Sequence, residues 1–281
     1  MTVVIESVSA LRAQVQAWRA DGLKVALVPT MGALHEGHIS LTRAALDRAD
    51  RCVASIFVNP RQFAPTEDLD KYPRQLAFDL DKLEQAGVHA AFTPGVDEVY
   101  PEGFATTISV GGPSAGLETD FRPTHFDGVA TVVAKLLIQA APDLAVFGEK
   151  DYQQLCVVKK LCRDLNLPVE IFGAPTVRDP EGLAMSSRNA YLSPAELEVA
   201  RKLNKILRKA ATALEGGADE AATMTAARQE ILDAGFDTVD YVEARQTDTL
   251  APWRRDTSGR VLVAARLGKT RLIDNVEVTA R

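Results

Sequence analysis

From the N-terminus to about Ala174, short apolar runs alternate with segments whose apolar residues return every three or four positions. Val25–Val28, Cys52–Val58, Val88–Phe92, Leu144–Phe147 and Val169–Phe172 are short and almost continuously apolar, which predicts buried strands. Between them, Ser9–Ala20, Ser40–Asp50 and Arg74–Ala86 predict amphipathic helices, the first with Ser7 or Ser9 as its cap. Gly128 is expected to open another helix, because Val129, Val132, Val133, Leu136 and Leu137 recur at helical spacing. A further helix turns Leu155, Val158, Leu161, Cys162 and Leu165 inward. Strand–helix alternation with short connections predicts an α/β fold, a doubly wound, mainly parallel sheet covered on both faces. Such sheets take ligands outside the carboxyl ends of their strands, near the point where strand order reverses.

The rhythm changes after about Pro175. Pro194–Leu214 reads as one long helix, Gly216-Gly217 as a break, and Glu220–Ala234 as a second helix. Thr238–Ala244, Arg260–Ala265 and Thr270–Ile273 predict strands of a small sheet. A smaller α+β domain over 177–281 is therefore expected to follow a domain over 1–176, the boundary falling between Ile171 and Asp179.

Composition narrows the function. With 46% hydrophobic and 25% charged residues, the chain of 281 residues has an ordinary globular balance. Its net charge of −6 supplies no general field for nucleic acid. Cys52, Cys156 and Cys162 form no C-x-x-C pair and suggest buried, reduced thiols. No apolar run is long enough to cross a bilayer and none resembles a signal peptide, so no membrane association and a cytoplasmic location are expected.

The chemistry concentrates in four places. Met31-Gly32-Ala33-Leu34-His35-Glu36-Gly37-His38 follows a strand and leads into a helix, and it holds two of the four histidines. Helix N-termini carry unpaired N–H groups and a positive dipole end, and two imidazoles three residues apart can donate to one polyphosphate. The pair could instead be ordinary polar residues at a helix start. A metal site is disfavoured, since H-E-x-x-H and a supporting Cys/His cluster are both missing, and no metal ligand is assigned. Downstream, Met185-Ser186-Ser187-Arg188 gathers two hydroxyls and a guanidinium, a compact set of phosphate donors that could equally be a capped turn. Gly148-Glu149-Lys150-Asp151 follows an apolar strand, where Lys150 could neutralise a transferring phosphoryl group or simply be solvated. Gln153 and Gln154 come next, one of which is expected to face water. Asn59 and Gln62 in Val58–Phe63 could point into a crevice, which Tyr72–Arg74 and Arg122–Phe126 could also line, although turn chemistry explains those two nearly as well. Leu267-Gly-Lys-Thr270 mimics the end of a P-loop, but Val263 stands where an earlier glycine is required.

Taken in order, Thr30–His38, Val58–Phe63, Phe147–Gln154 and Met185–Asn189 resemble the pantothenate synthetase (pantoate–β-alanine ligase) family over nearly the whole chain. The resemblance implies a Rossmann-like N-terminal domain of the HIGH-motif nucleotidyltransferase superfamily, a C-terminal lid domain and a homodimer. It implies a ligase that condenses (R)-pantoate with β-alanine through pantoyl adenylate, with ATP as co-substrate and Mg²⁺ accompanying it. Met31–His38, Gly148–Asp151, Val177 and Met185–Arg188 would contact ATP, with His38, His35, Lys150 and Arg188 catalytic. Gln62 and Gln154, with Asn59 and Tyr72, would bind pantoate, Gln62 also lying near β-alanine. Two alternatives stand beside it: a nucleotidyltransferase acting on another small acid or phosphate, for which Arg61 would be the suspect cation, and a non-catalytic nucleotide binder.

Overall fold

The computed structural model describes residues 1–64, 67 and 69–280. The apolar runs form β1 (Val3–Ile5), β2 (Val25–Thr30), β3 (Arg51–Ile56), β4 (Ala90–Phe92), β5 (Leu144–Gly148) and β6 (Glu170–Ala174). All six pair in parallel, in the order β1-β4-β3-β2-β5-β6. A second sheet holds β7 (Thr238–Gln246), β8 (Gly259–Leu267) and β9 (Thr270–Val278) as an antiparallel meander. The helices are α1 (Val8–Ala20), α2 (Glu36–Leu46), α3 (Leu76–Gln85), α4 (Val96–Val99), α5 (Glu118–Phe121), α6 (His125–Ala140), α7 (Tyr152–Asp164), α8 (Pro194–Ala200), α9 (Lys202–Glu215) and α10 (Glu220–Asp233).

The parallel sheet is apolar on both faces because both are covered. Ala26, Val28, Cys52 and Ala54 share a core with Leu41 and Ala45 of α2 and Leu83 of α3. The alternate residues Leu27 and Val53 are also inaccessible to water, and α1 and α6 pack together and against β2. From β2 the chain steps outward to β3 and β4, then returns to the other side of β2 for β5 and β6. The strand order therefore reverses between β2 and β5, and the loops leaving both begin at the ligand-binding edge of the sheet. Burial pushes the Cys52 thiol up to about 12 and that of Cys162 up to about 11, which keeps both protonated and unreactive.

Three local expectations change. Helix α2 starts at Glu36 rather than Ser40, and α6 starts at His125 rather than Gly128. The long helix expected over 194–214 is interrupted at Arg201, which separates α8 from α9. Strand β1 escaped the pattern because it has only three residues, two of them exposed. The false P-loop is the tight turn between β8 and β9, where Leu267 pairs with Thr270.

The chain forms two compact units, both discontinuous in sequence. The first comprises 1–110, 122–149 and 157–175; the second comprises 111–121, 150–156 and 176–281. A linear division at 176/177 places 111–121 and 150–156 with the N-terminal part, whereas both pack with the C-terminal strands. Side-chain chemistry explains this. The buried Glu118 carboxylate receives both Nη groups of Arg271 at 2.8 Å and the hydroxyl of Tyr241 at 2.8 Å. Buried Gln153 accepts from the Glu118 N–H and donates to the carbonyls of Pro113 and Gly116.

Candidate active site

In the first unit, β2 ends at Thr30, whose hydroxyl donates to the Ser55 carbonyl at 2.7 Å and accepts from the Gly32 N–H at 3.2 Å. The chain then turns through two consecutive left-handed residues, Gly32 (φ +82°) and Ala33 (φ +51°). For alanine that conformation costs about 1–2 kcal/mol, so something must hold it. Asp79, buried on α3, does so: one carboxylate oxygen accepts from the Ala33 N–H at 2.9 Å and the other from the Leu34 N–H at 2.8 Å. One helical turn along, the Lys82 ammonium donates to the Leu34 carbonyl at 2.5 Å.

The two histidines follow. His35 is extended (φ −130°, ψ 176°) and caps α2; its Nδ1 accepts from the Gly37 N–H at 3.1 Å. His38 lies in the first turn, and its Nδ1 accepts from the His35 N–H at 3.4 Å. The rings are therefore not two residues on one helix face, but members of a reciprocal capping box, with centroids 4.1 Å apart. An accepting Nδ1 places the proton of a neutral imidazole on Nε2, so each ring is set to donate from Nε2. The N–H groups of Ala33 and Leu34 are given to Asp79, those of His35 and Gly37 to the capping box and that of His38 to the His35 carbonyl, so this segment offers a phosphate chiefly its side chains and the dipole of α2. Glu36 is exposed and paired with Arg43.

The Asn59–Gln62 turn belongs to the same unit. Gln62 donates from Nε2 to the Met31 sulfur at 3.1 Å and accepts from the Asn59 amide at 3.0 Å. Asn59 is almost fully buried; it also donates to the Gly128 carbonyl and accepts from Tyr100 at 2.8 Å. Burial pushes the Tyr100 hydroxyl up to about 12, so it remains a donor. Asn59 is thereby committed to holding the turn. The Gln62 carbonyl contacts His125 Nδ1 at 2.9 Å and accepts from Arg122, which is paired with Glu67. Gly128 permits this arrangement, because a Cβ there would lie 2.2 Å from the Arg61 carbonyl oxygen. Tyr72 is buried edge-on to Phe63. Arg61 donates to Thr107 at 2.8 Å and lies over Tyr100 and Phe104.

Chain order carries Gly148 at the end of β5 through a single turn of 3-10 helix, Glu149–Asp151, into α7. Gly148 and Glu149 belong to the first unit, Lys150 and Asp151 to the second. In the second unit the Lys150 side chain is largely buried, with its ammonium 3.9 Å from Asp151, and its carbonyl accepts from Asn275 at 3.0 Å. The adjacent glutamines divide the work. Gln153 is the internal brace described above, while Gln154 is half-buried and makes no hydrogen bond among the described residues.

Val177 and Met185 are joined by the Met185 N–H donating to the Val177 carbonyl at 2.9 Å, closing a short hairpin. Ser186 caps the 3-10 helix Ser187–Tyr191 by accepting from the Arg188 N–H at 3.3 Å. Arg178 anchors the hairpin: its two Nη groups donate to the Asp274 carboxylate at 2.7 and 2.8 Å. Asn275, next on β9, holds Lys150 through its amide and accepts from Arg260 at 2.7 Å. Two adjacent residues of β9 thus support both the lysine loop and the serine–arginine hairpin. Asp79, Lys82, Asp274 and Asn275 all went unread in the sequence. Only the last two left a signal, a polar pair set between Leu272-Ile273 and Val276.

A doubly wound sheet with a histidine-bearing helix start at its reversal point defines a nucleotide-binding α/β protein. The pattern of the pantoate-beta-alanine ligase family matches residues 3–277. The pantothenate synthetase of Mesorhizobium japonicum is 70% identical over 275 residues, covering 98% of this chain and 97% of that protein. The crystal structure of pantothenate synthetase from Thermus thermophilus superimposes with a TM-score of 0.89 at 45% identity, covering 99% of each chain. The pantoate-beta-alanine ligase of Francisella tularensis, complexed with beta-gamma ATP and beta-alanine, gives a TM-score of 0.84 at 34% identity, covering 98% and 97%. The chain belongs to the pantoate–β-alanine ligase family.

Proposed function

We propose that the chain condenses (R)-pantoate with β-alanine at the expense of ATP, through pantoyl adenylate. A pantoate carboxylate oxygen attacks the α-phosphorus and pyrophosphate leaves. The β-alanine amine then attacks the acyl carbon, and AMP departs as pantothenate forms. The observation that carries this is the His35/His38 capping box at the carboxyl end of β2, beside the reversal of strand order. Two Nε2–H donors and the start of α2 favour negative charge there. Met31–His38, Gly148–Asp151, Val177 and Met185–Arg188 are assigned to ATP, with Lys150, Arg188 and the histidines stabilising charge in the transition state. Gln62 and Gln154 are assigned to pantoate; Gln154 keeps an uncommitted amide, while Gln62 would exchange its contact with Met31 for the substrate. Asn59 positions Gln62, and Tyr72 walls the pocket.

Mg²⁺ enters as part of the Mg·ATP substrate. The enzyme is a cytoplasmic homodimer, and residues 177–281 serve as its lid. The engagement of Arg61 with Thr107 and two aromatic rings weighs against a phosphorylated acid as substrate.

Pyrophosphate–ATP exchange tests the reading and should require pantoate; exchange indifferent to pantoate would overturn the substrate. Lys150→Ala and His38→Ala should each slow adenylate formation roughly 100- to 1,000-fold, or about 3–4 kcal/mol, in rapid-quench measurements. Near wild-type rates would sink their assigned roles.

A further inference from the structure

Two residues of α3 that no phosphate motif includes grip the histidine loop by its backbone. Asp79 is 1% exposed, and its two oxygens take the N–H groups of Ala33 and Leu34. Lys82, three residues on and so on the same helix face, donates to the Leu34 carbonyl. The carboxylate thus meets two donors and the ammonium an acceptor, a match to the polarity of the peptide groups immediately before His35. The grip also accounts for the glycine, since a Cβ on Gly32 would lie 3.0 Å from Asp79 Oδ2. Leu34 is itself buried, so the segment between the end of β2 and the cap of α2 is fixed at side chain and backbone alike.

We propose that Asp79 and Lys82 are positioning residues for adenylate formation, setting the height and orientation of His35 and His38 through the backbone of residues 33–34. The proposal rests on the reading of those histidines as phosphate donors. Alignment at a reacting phosphate is sensitive to displacements of about 1 Å, which can cost on the order of 100-fold in rate without unfolding anything. In Asp79→Asn, one carboxylate oxygen becomes an NH₂ group facing a backbone N–H, so one amide must move away. In Lys82→Met the two amide bonds remain and only the grip on the carbonyl is lost.

The test separates the two chemical steps. Rapid-quench kinetics follow pantoyl adenylate formation, and aminolysis is measured separately by adding β-alanine to enzyme with preformed pantoyl adenylate. Asp79→Asn should lower the maximal rate of adenylation about 10- to 100-fold and Lys82→Met about 3- to 10-fold, with aminolysis changed less than about twofold. Placed in a His38→Ala background, Asp79→Asn should add less than about threefold, because its effect passes through the histidine. Equal losses in both steps, or full additivity with His38→Ala, would mark a merely structural residue and overturn the proposal. Wild-type adenylation in Asp79→Asn would do the same. Should Asp79→Asn fail to fold, Lys82→Met carries the test alone, and unchanged adenylation in it would be equally fatal. A His38→Ala enzyme with normal adenylation would instead defeat the underlying reading of the histidines.

Discussion

The two units support their nucleotide-assigned segments by different means. In the first, the loop before His35 is held directly, its peptide groups gripped by Asp79 and Lys82 from one helix. In the second, Asn275 meets the Lys150 carbonyl directly, but the hairpin ahead of Ser186 is held through an intermediary, Arg178, which Asp274 fixes in turn. Direct support from one carboxylate leaves no redundancy for geometry. Support through a buried ion pair couples several segments, so its loss should be felt as stability. The contrast is between a device that sets atomic position and one that holds a domain together.

Asp274→Ala should produce the largest stability effect. Arg178 would keep a mostly buried guanidinium without its carboxylate, and breaking such a pair costs about 3–5 kcal/mol. Urea denaturation should show this loss; a change below about 1 kcal/mol would place the pair with surface ion pairs and erase the contrast. Gly32→Ala comes next. A side chain at φ +82°, 3.0 Å from Asp79 and 3.1 Å from Ile56, should cost about 1–3 kcal/mol. A neutral outcome by thermal denaturation would show that the gripped loop can shift freely.

The smallest effect lies at Glu67, whose pairing with Arg122 stands behind the Gln62 carbonyl. Burial alone would raise its carboxyl, but the hydrogen bonds and charge of Arg122 prevail and hold it below the ordinary 4.5. A depressed folded value contributes stability above the unfolded value and loses it as pH falls through the folded one. Wild type should therefore exceed Glu67→Gln by about 1 kcal/mol or less near neutrality. The difference should shrink as pH drops below 4.5. A gap that stays constant down to about pH 3 would remove the ion pair from the account.

The sheet was legible in the sequence because its strands are continuously apolar and its helices amphipathic, as at Val25–Val28 and Val129–Leu137. The segments assigned to ligands were legible because a histidine pair, Ser-Ser-Arg and Gln-Gln are chemically conspicuous. What supports them was not. Asp79 reads as one more polar residue of an amphipathic helix, since its partners are backbone groups 45 and 46 positions away. The start of α2 was misjudged because His35 caps through an imidazole nitrogen, where the expected capping residues carry a side-chain oxygen. Asn59 and Gln153 are as polar in sequence as their neighbours, and only the structure shows their amides bonded inside the protein. The membership of 111–121 and 150–156 in the second unit depends on Glu118 meeting Arg271, a pairing no local pattern announces.

That pairing sets a timetable. Glu118 precedes Arg271 by 153 positions. At synthesis rates of about 5–20 residues per second, the carboxylate waits roughly 8–30 s for its guanidinium. Until β9 has left the ribosome, 111–121 has only Gln153 and then Tyr241 to dock on, and the Glu118 carboxylate lacks its guanidinium. The second unit is therefore completed last, by its final strand, while the parallel sheet, whose last strand ends at Ala174, has all its members in hand long before. A chain truncated before Arg271 would strand its central segment along with its C-terminus.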